Sequence, residues 1–212
     1  MEDYPNVHYL DHPLIRHKVA KLRSVDTDHK NFRDLVEEIA ALMVYESFRD
    51  IPTVEVEVET PLERCRQTVV KENSVAIVAI LRAGLGMVDG VLRMLPSAKV
   101  GHIGLTRNEE THEPEQYYCK LPKDIGDMVA IVVDPMLATG GSASDALALL
   151  KSAGCTRLKL LSIIAAPEGV RRVASEHPDV DVYISTLDRG LNDDAYILPG
   201  LGDAGDRIFG TR

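Results

Sequence analysis

The chain has 212 residues, 45% of them hydrophobic and 27% charged, a balance that excludes disorder and predicts one packed domain over residues 1–212. A formal net charge of −9 argues against a general nucleic-acid binder, which needs clustered Lys and Arg, but leaves room for a small anionic substrate in a locally positive pocket. No apolar run approaches the length of a membrane span. The opening MEDYPNVHYLDHP lacks the apolar stretch of a signal peptide. Cys65, Cys119 and Cys155 are widely spaced, with neither metal spacing nor a disulfide pattern, and are expected to be buried small hydrophobes in a reducing compartment. The expectation is a soluble cytoplasmic protein.

Phe32, Leu35, Val36, Ile39, Ala40 and Met43 recur at three- and four-residue steps, which predicts an amphipathic helix over 28–49 with Asp28 or Thr27 as N-cap. Val54, Val56 and Val58 alternate with glutamates. That predicts an antiparallel strand at an edge or in a protruding arm. From residue 74 the texture changes. Residues 75–81 (VAIVAIL) form a continuous apolar run suited to a strand buried on both faces. Helical patterns follow at 86–95, 142–153 and 168–177, and strand patterns at 98–105, 128–133, 157–165 and 180–186. Pro167 suits a first helical turn. The alternation implies βαβ units and a parallel sheet covered on both faces. Residues 106–123 are polar and aperiodic, which reads as a long functional loop. After 187 the chain turns glycine-rich and irregular, with apolar points at Tyr196, Ile197, Leu198 and Leu201.

The stretch 131–147, IVVDPMLATGGSASDAL, is the most informative. A buried strand runs into a lone acid, Asp134. A small-residue loop, Ala138 to Ser142, then opens a helix. Hydroxyls and unhindered backbone N–H groups at such a junction suit a phosphate, and ligands of open α/β sheets bind at the carboxyl ends of strands. No G-x-x-x-x-G-K-[ST] occurs. The literal G-x-G-x-x-G at Gly200, Gly202 and Gly205 has no room behind it for a helix and second strand, so a dinucleotide fold is excluded there. Arg82, placed directly after the buried run 75–81, is a second candidate, since a cation at that position is uncommon.

DPMLATGGS at 134–142 resembles the phosphoribosyl-diphosphate (PRPP) motif of type I phosphoribosyltransferases, in the form found in the uracil phosphoribosyltransferase family. ILRAGLGMVDG (80–90), RNEETHEP (107–114), AAPEG (165–169) and YILPGLGDAGDRIFGT (196–211) resemble the same family in the same order. Most of the superfamily places two adjacent acids after this strand. Here Pro135 follows Asp134, a departure the uracil branch shares.

The resemblance implies a Rossmann-like α/β core with a parallel sheet and helices on both faces. An N-terminal helical segment, a β-arm and a C-terminal base-binding hood would be added to it. It implies PRPP contacts from Arg82, Arg107, Asp134, Pro135, Met136, Leu137, Ala138, Thr139, Gly140, Gly141, Ser142 and Asp203. Ile197, Gly202, Asp203 and Ala204 would contact uracil, and Arg82, Arg107 and Asp203 would be catalytic. It further implies a cis peptide at Leu81–Arg82, Mg2+ carried by PRPP, and a homodimer or larger assembly using the 52–59 strand. Glu109, Glu110 and Tyr117 would ride the lid with Arg107. Some members respond to GTP. Lys30 and Arg33 are candidates for such an effector site, although a solvated helix face also accounts for them. His8, His12 and His17 lack metal-ligand spacing. The rival readings are a PRPP-binding regulator or RNA-binding attenuator of the same fold, and a phosphoribosyltransferase for another base.

Overall fold

The structure is a computed structural model that describes residues 4–107 and 114–211; the side chains of Arg107, Pro114 and Glu115 lie outside that description. In chain order the elements are β1 (Val7–Tyr9), α1 (Pro13–Arg23), α2 (His29–Ser47), β2 (Thr53–Glu59), β3 (Arg64–Val70), β4 (Val75–Leu81), α3 (Leu85–Met94) and β5 (Lys99–Arg107). They continue with β6 (Pro114–Lys120), β7 (Val129–Val133), β8 (Met136–Leu137), α4 (Gly141–Ser152), β9 (Arg157–Ala165) and α5 (Pro167–Glu176). The last are β10 (Asp181–Leu187), β11 (Gly190–Leu191), β12 (Ile197–Leu198) and α6 (Ala204–Phe209).

The central sheet runs β1-β10-β9-β7-β4-β5-β6, with β8 also paired to β9. All its pairings are parallel except β5 with β6. Period-two alternation divides its side chains between two cores. Val75, Ile77 and Ala79 of β4 and Val129, Ile131 and Val133 of β7 pack against α1, α2, α3 and α6. Ala76, Val78, Ile80, Ala130 and Val132 pack against α4 and α5. A strand that must be apolar toward both helix layers reads as an unbroken apolar run.

Helix α2 anchors one layer. Asp28 is its N-cap, accepting from the Asn31 N–H at 2.8 Å. Phe32, Val36, Ile39 and Met43 are fully buried, and each such side chain contributes roughly 1.5–3 kcal/mol. A charge at Ile39 would break this face.

The expected arm is present. β2 pairs antiparallel with β3 in a two-stranded sheet separate from the central one. Its Val54, Val58 and Val69 are exposed.

Three expectations need correction. Residues 106–123 are not one long loop, because β5 extends to Arg107 and Pro114–Lys120 forms the edge strand β6. Its polar character is that of a strand with one neighbour, since an edge tolerates and benefits from polar side chains. The tail after 187 is also more regular than it reads, with the β11–β12 pair and α6. Of the cysteines only Cys155 is buried, while Cys65 and Cys119 are half-buried; all three are free thiols.

Candidate active site

β4 has β5 on one side and β7 on the other. The helix after β4, α3, packs into the first layer, and the helix after β7, α4, packs into the second. The two βα loops therefore part at the carboxyl ends of β4 and β7 and leave a crevice, the usual ligand position of such sheets.

A cavity of about 330 Å³ opens there. The segment Ile80–Ala83 lines it from β4, and Asp134, Met136, Ala138 and Ser142 line it from the loop after β7. Ala195, Tyr196, Ile197 and Gly202–Gly205 line it from the C-terminal hood. A smaller recess of about 90 Å³, which shares Asp134 and Ser142, is formed by Met136–Ala143. Segments far apart in sequence thus meet in one place, including all four residues expected to contact a base.

The loop geometry follows from its small residues. Gly140 has φ +80°, which favours glycine, and a Cβ there would lie 2.9 Å from the Gly169 carbonyl oxygen. Gly169 is equally constrained, since a Cβ on it would lie 2.5 Å from the Ala138 oxygen. The AAPEG segment therefore shapes the 138–142 loop from behind. The Gly141 N–H donates to Thr139 Oγ1 at 3.4 Å. Pro135 lines neither cavity. It is buried, and its carbonyl accepts the N–H groups of Ile163 and Ile164.

Asp134 retains some solvent contact through the cavity but is surrounded by protein. Desolvation raises its pKa to about 7, opposed only by the N–H of Met136 at 3.4 Å. A carboxyl in that position accepts hydrogen bonds from ligand hydroxyls once ionised.

The Leu81–Arg82 peptide is cis, as the resemblance implies, and Leu198–Pro199 is also cis. Arg82 points toward α6. Its Nη2 lies 3.2 Å from Asp206 Oδ1, and its guanidinium lies 5.9 Å from the centre of the Phe209 ring. Asp203 caps α6, accepting from the Asp206 N–H at 2.8 Å. Arg107 ends β5, and Glu109 and Glu110 fall outside the described residues. Tyr117 does not ride a loop. It sits on β6 with its ring over Gly104, where a Cβ would come within 2.5 Å of the ring. Lys30 bonds Asp34 and Arg33 bonds the Ile208 carbonyl.

Reading of the residues missed Ala195, Gly205 and the charged side chains that hold the hood in place. Ala195 has φ +62°, and Asn192 Oδ1 accepts from the N–H groups of Asp194 and Tyr196 around it. Asn192 is the only advance signal of that turn, as a residue suited to side-chain-to-backbone bonds.

Among the described residues no helix is long and apolar enough to cross a membrane. The family model of uracil phosphoribosyltransferase matches residues 9–211. A uracil phosphoribosyltransferase of Exiguobacterium sibiricum is 58% identical over 206 residues, 97% of this chain and 99% of that one. One of Thermoanaerobacter sp. (strain X514) is 55% identical over 209 residues, covering 99% and 100%. The solved AQ2163 protein of Aquifex aeolicus superposes with a TM-score of 0.91 at 40% identity, covering 96% and 97%. An adenine phosphoribosyl transferase of Trypanosoma brucei shares the fold with a TM-score of 0.61 at 14% identity. With the loop after β7 and the C-terminal hood lining one cavity at the sheet's switch point, and a match from residue 9 to 211, the chain belongs to the uracil phosphoribosyltransferase family.

Proposed function

We propose that this chain transfers the 5-phosphoribosyl group of PRPP to N1 of uracil, giving UMP and diphosphate. The observation that carries the proposal is the shared cavity. Arg82, Asp134 and Ser142 line it together with Ile197, Gly202, Asp203 and Ala204, so a phosphorylated sugar and a base would be neighbours in it.

In this reading Ala138–Ser142 offers N–H and hydroxyl donors to the 5′-phosphate. Asp134 accepts from the ribose hydroxyls. Arg82 and Arg107 carry the diphosphate, and Asp203 lies between the base and the sugar. Uracil presents O4 as acceptor and N3–H as donor, the reverse of cytosine on that edge. Rigid backbone groups at Ile197 and Gly202–Ala204 penalise the wrong base by leaving polar groups unpaired.

Bond breaking at the anomeric carbon runs ahead of bond making. The protein therefore acts by positioning the reactants and stabilising the departing charge. The cavity carboxylates of Asp134 and Asp203 suit a hard cation that keeps waters and shares substrate phosphates. Mg2+ carried by PRPP would neutralise diphosphate charge there.

The proposal includes one catalytic unit spanning the chain, a cytoplasmic setting that suits the three free thiols, and assembly into a homodimer or larger oligomer through the β2–β3 arm with its exposed Val54, Val58 and Val69. GTP activation is part of it too, tested by assay with and without GTP.

The decisive experiment incubates PRPP and Mg2+ with uracil, cytosine, orotate and hypoxanthine in turn. UMP from uracil alone is expected. Product from another base, with none from uracil, would overturn the reading.

A further inference from the structure

Between the base-facing residues Ile197 and Gly202 the chain makes the turn Leu198–Pro199–Gly200–Leu201. Backbone groups can discriminate bases only if this turn is held still. The β11–β12 pairing reaches only Leu198. Beyond it, two arginines hold the turn from outside the cavity.

Arg23, the last residue of α1, donates from Nη1 to the Gly200 carbonyl at 2.7 Å. Its two terminal nitrogens also grip Asp188, at 2.8 and 2.5 Å. Asp188 is buried, and its Oδ2 accepts the Gly200 N–H at 2.8 Å. Both backbone polar groups of Gly200 are therefore engaged by one ion pair. Gly200 has φ +59°, and a Cβ there would lie 2.0 Å from the Ile197 carbonyl oxygen, so the turn tolerates only glycine.

Arg207 takes the next carbonyl. Its Nη1 donates to Leu201 O at 3.0 Å, while Nη2 donates to Ser24 O at 2.6 Å and Thr27 O at 3.3 Å. Its guanidinium lies 4.4 Å from the centre of the Phe32 ring. Consecutive carbonyls thus turn away from the cavity onto two guanidinium groups, both anchored at the α1–α2 junction. Neither arginine nor Asp188 lines the cavity.

We infer that Arg23, Asp188 and Arg207 are positioning residues for base selection: they fix residues 200–201 so that Gly202–Ala204 present their backbone to uracil at one register. The inference rests on the proposed uracil reaction. The planar fork makes arginine specific here, since a lysine would keep the charge but not bridge two acceptors in one plane.

The test is steady-state kinetics on full-length wild type, Arg23→Lys and Arg207→Lys, with uracil or cytosine as base. Each variant should raise KM for uracil at least tenfold, leave KM for PRPP within twofold, and lower the uracil-over-cytosine ratio of kcat/KM. A KM for uracil and a base ratio within twofold of wild type would overturn the inference. So would a parallel rise in both KM values, the mark of general loosening. Should one variant fail to fold, the other decides, because they hold different carbonyls. Wild type run alongside separates the two claims. No UMP from wild type overturns the reaction and the inference with it, whereas an active wild type with unaltered variants overturns the inference alone.

Discussion

Arg82 Nη2 and Asp206 Oδ1 lie 3.2 Å apart although 124 residues separate them in the chain. The same Asp206 oxygen accepts from Thr211 Oγ1 at 2.5 Å, so one carboxylate ties the end of β4 to the C-terminus. The Arg82 side chain is 55% exposed, whereas Asp206 is only 14% exposed. The guanidinium can turn from Asp206 toward a diphosphate while the Thr211 hydroxyl stays on the carboxylate.

Arg82→Ala should accordingly cost far less in stability than in activity. Loss of a charge-stabilising donor typically lowers turnover by roughly 10²–10³. Turnover and thermal unfolding measured on the same sample check this. Near-normal kcat would remove Arg82 from its assigned role.

Asp134 makes a prediction about pH. With its folded pKa raised from 3.8 to about 7, the folded protein holds a proton that the unfolded chain has released. This contribution to stability is fully present below pH 3.8, declines as pH rises through the interval to about 7, and is absent above it. Asp134→Asn should therefore be more stable than wild type above pH 7 and lose that advantage in acid. Hydroxyl binding needs the ionised form, so KM for PRPP should improve in wild type as pH rises through about 7, relative to Asp134→Asn. Parallel pH profiles for the two proteins would refute this.

Gly169→Ala should disturb a loop it does not belong to. The added Cβ meets the Ala138 and Leu137 carbonyl oxygens at 2.5 and 2.8 Å, and backbone on both sides leaves little room to yield. Overpacking of this kind costs about 1–3 kcal/mol. The expected signature is weaker PRPP binding, read by calorimetry, with the β-arm and α2 unaffected in hydrogen exchange.

His177 titrates in the opposite sense to Asp134. The Lys151 ammonium donates to its Nδ1 at 3.0 Å, which leaves the proton on Nε2, and Nε2 meets Ser144 Oγ at 2.8 Å. Ser144 in turn donates to Glu176. Burial first, then the nearby Lys151 charge, hold the imidazole below its usual pKa of 6.5. Its stabilising contribution is present above pH 6.5 and lost as pH falls through the window beneath it. Unfolding free energy should fall as pH drops below 6.5 in wild type and less so in His177→Gln. Equal slopes would count against a buried neutral His177.

Legibility in the sequence followed burial. β4 and β7 were readable because both faces are covered and every residue is apolar, and α2 because one face is. β6 (PEQYYCK) carries no apolar alternation and reads as loop, whereas it is the edge strand of the sheet. Helix α1 carries little periodic signal, because Ile15, Val19 and Leu22 are its only buried positions. At the site, the small residues of 138–142 mark a tight strand-to-helix loop, and their unhindered N–H groups and hydroxyls are what led to the proposal of a phosphate there. Arg23, Asp188 and Arg207 carry no such mark, because an arginine that grips a backbone carbonyl looks like any surface arginine until its partner is known.

By itself, then, the sequence determined the sheet's buried strands, the small-residue loop that follows the lone Asp134, and the family, because these depend on local composition and on residue types without substitutes. Tertiary structure alone decided that the loop and the hood share one cavity, that Asp134 is desolvated enough to titrate near neutrality, and that α1 holds the turn at Gly200. Each of those depends on contacts between segments distant in the chain, and local pattern carries no information about distance in space.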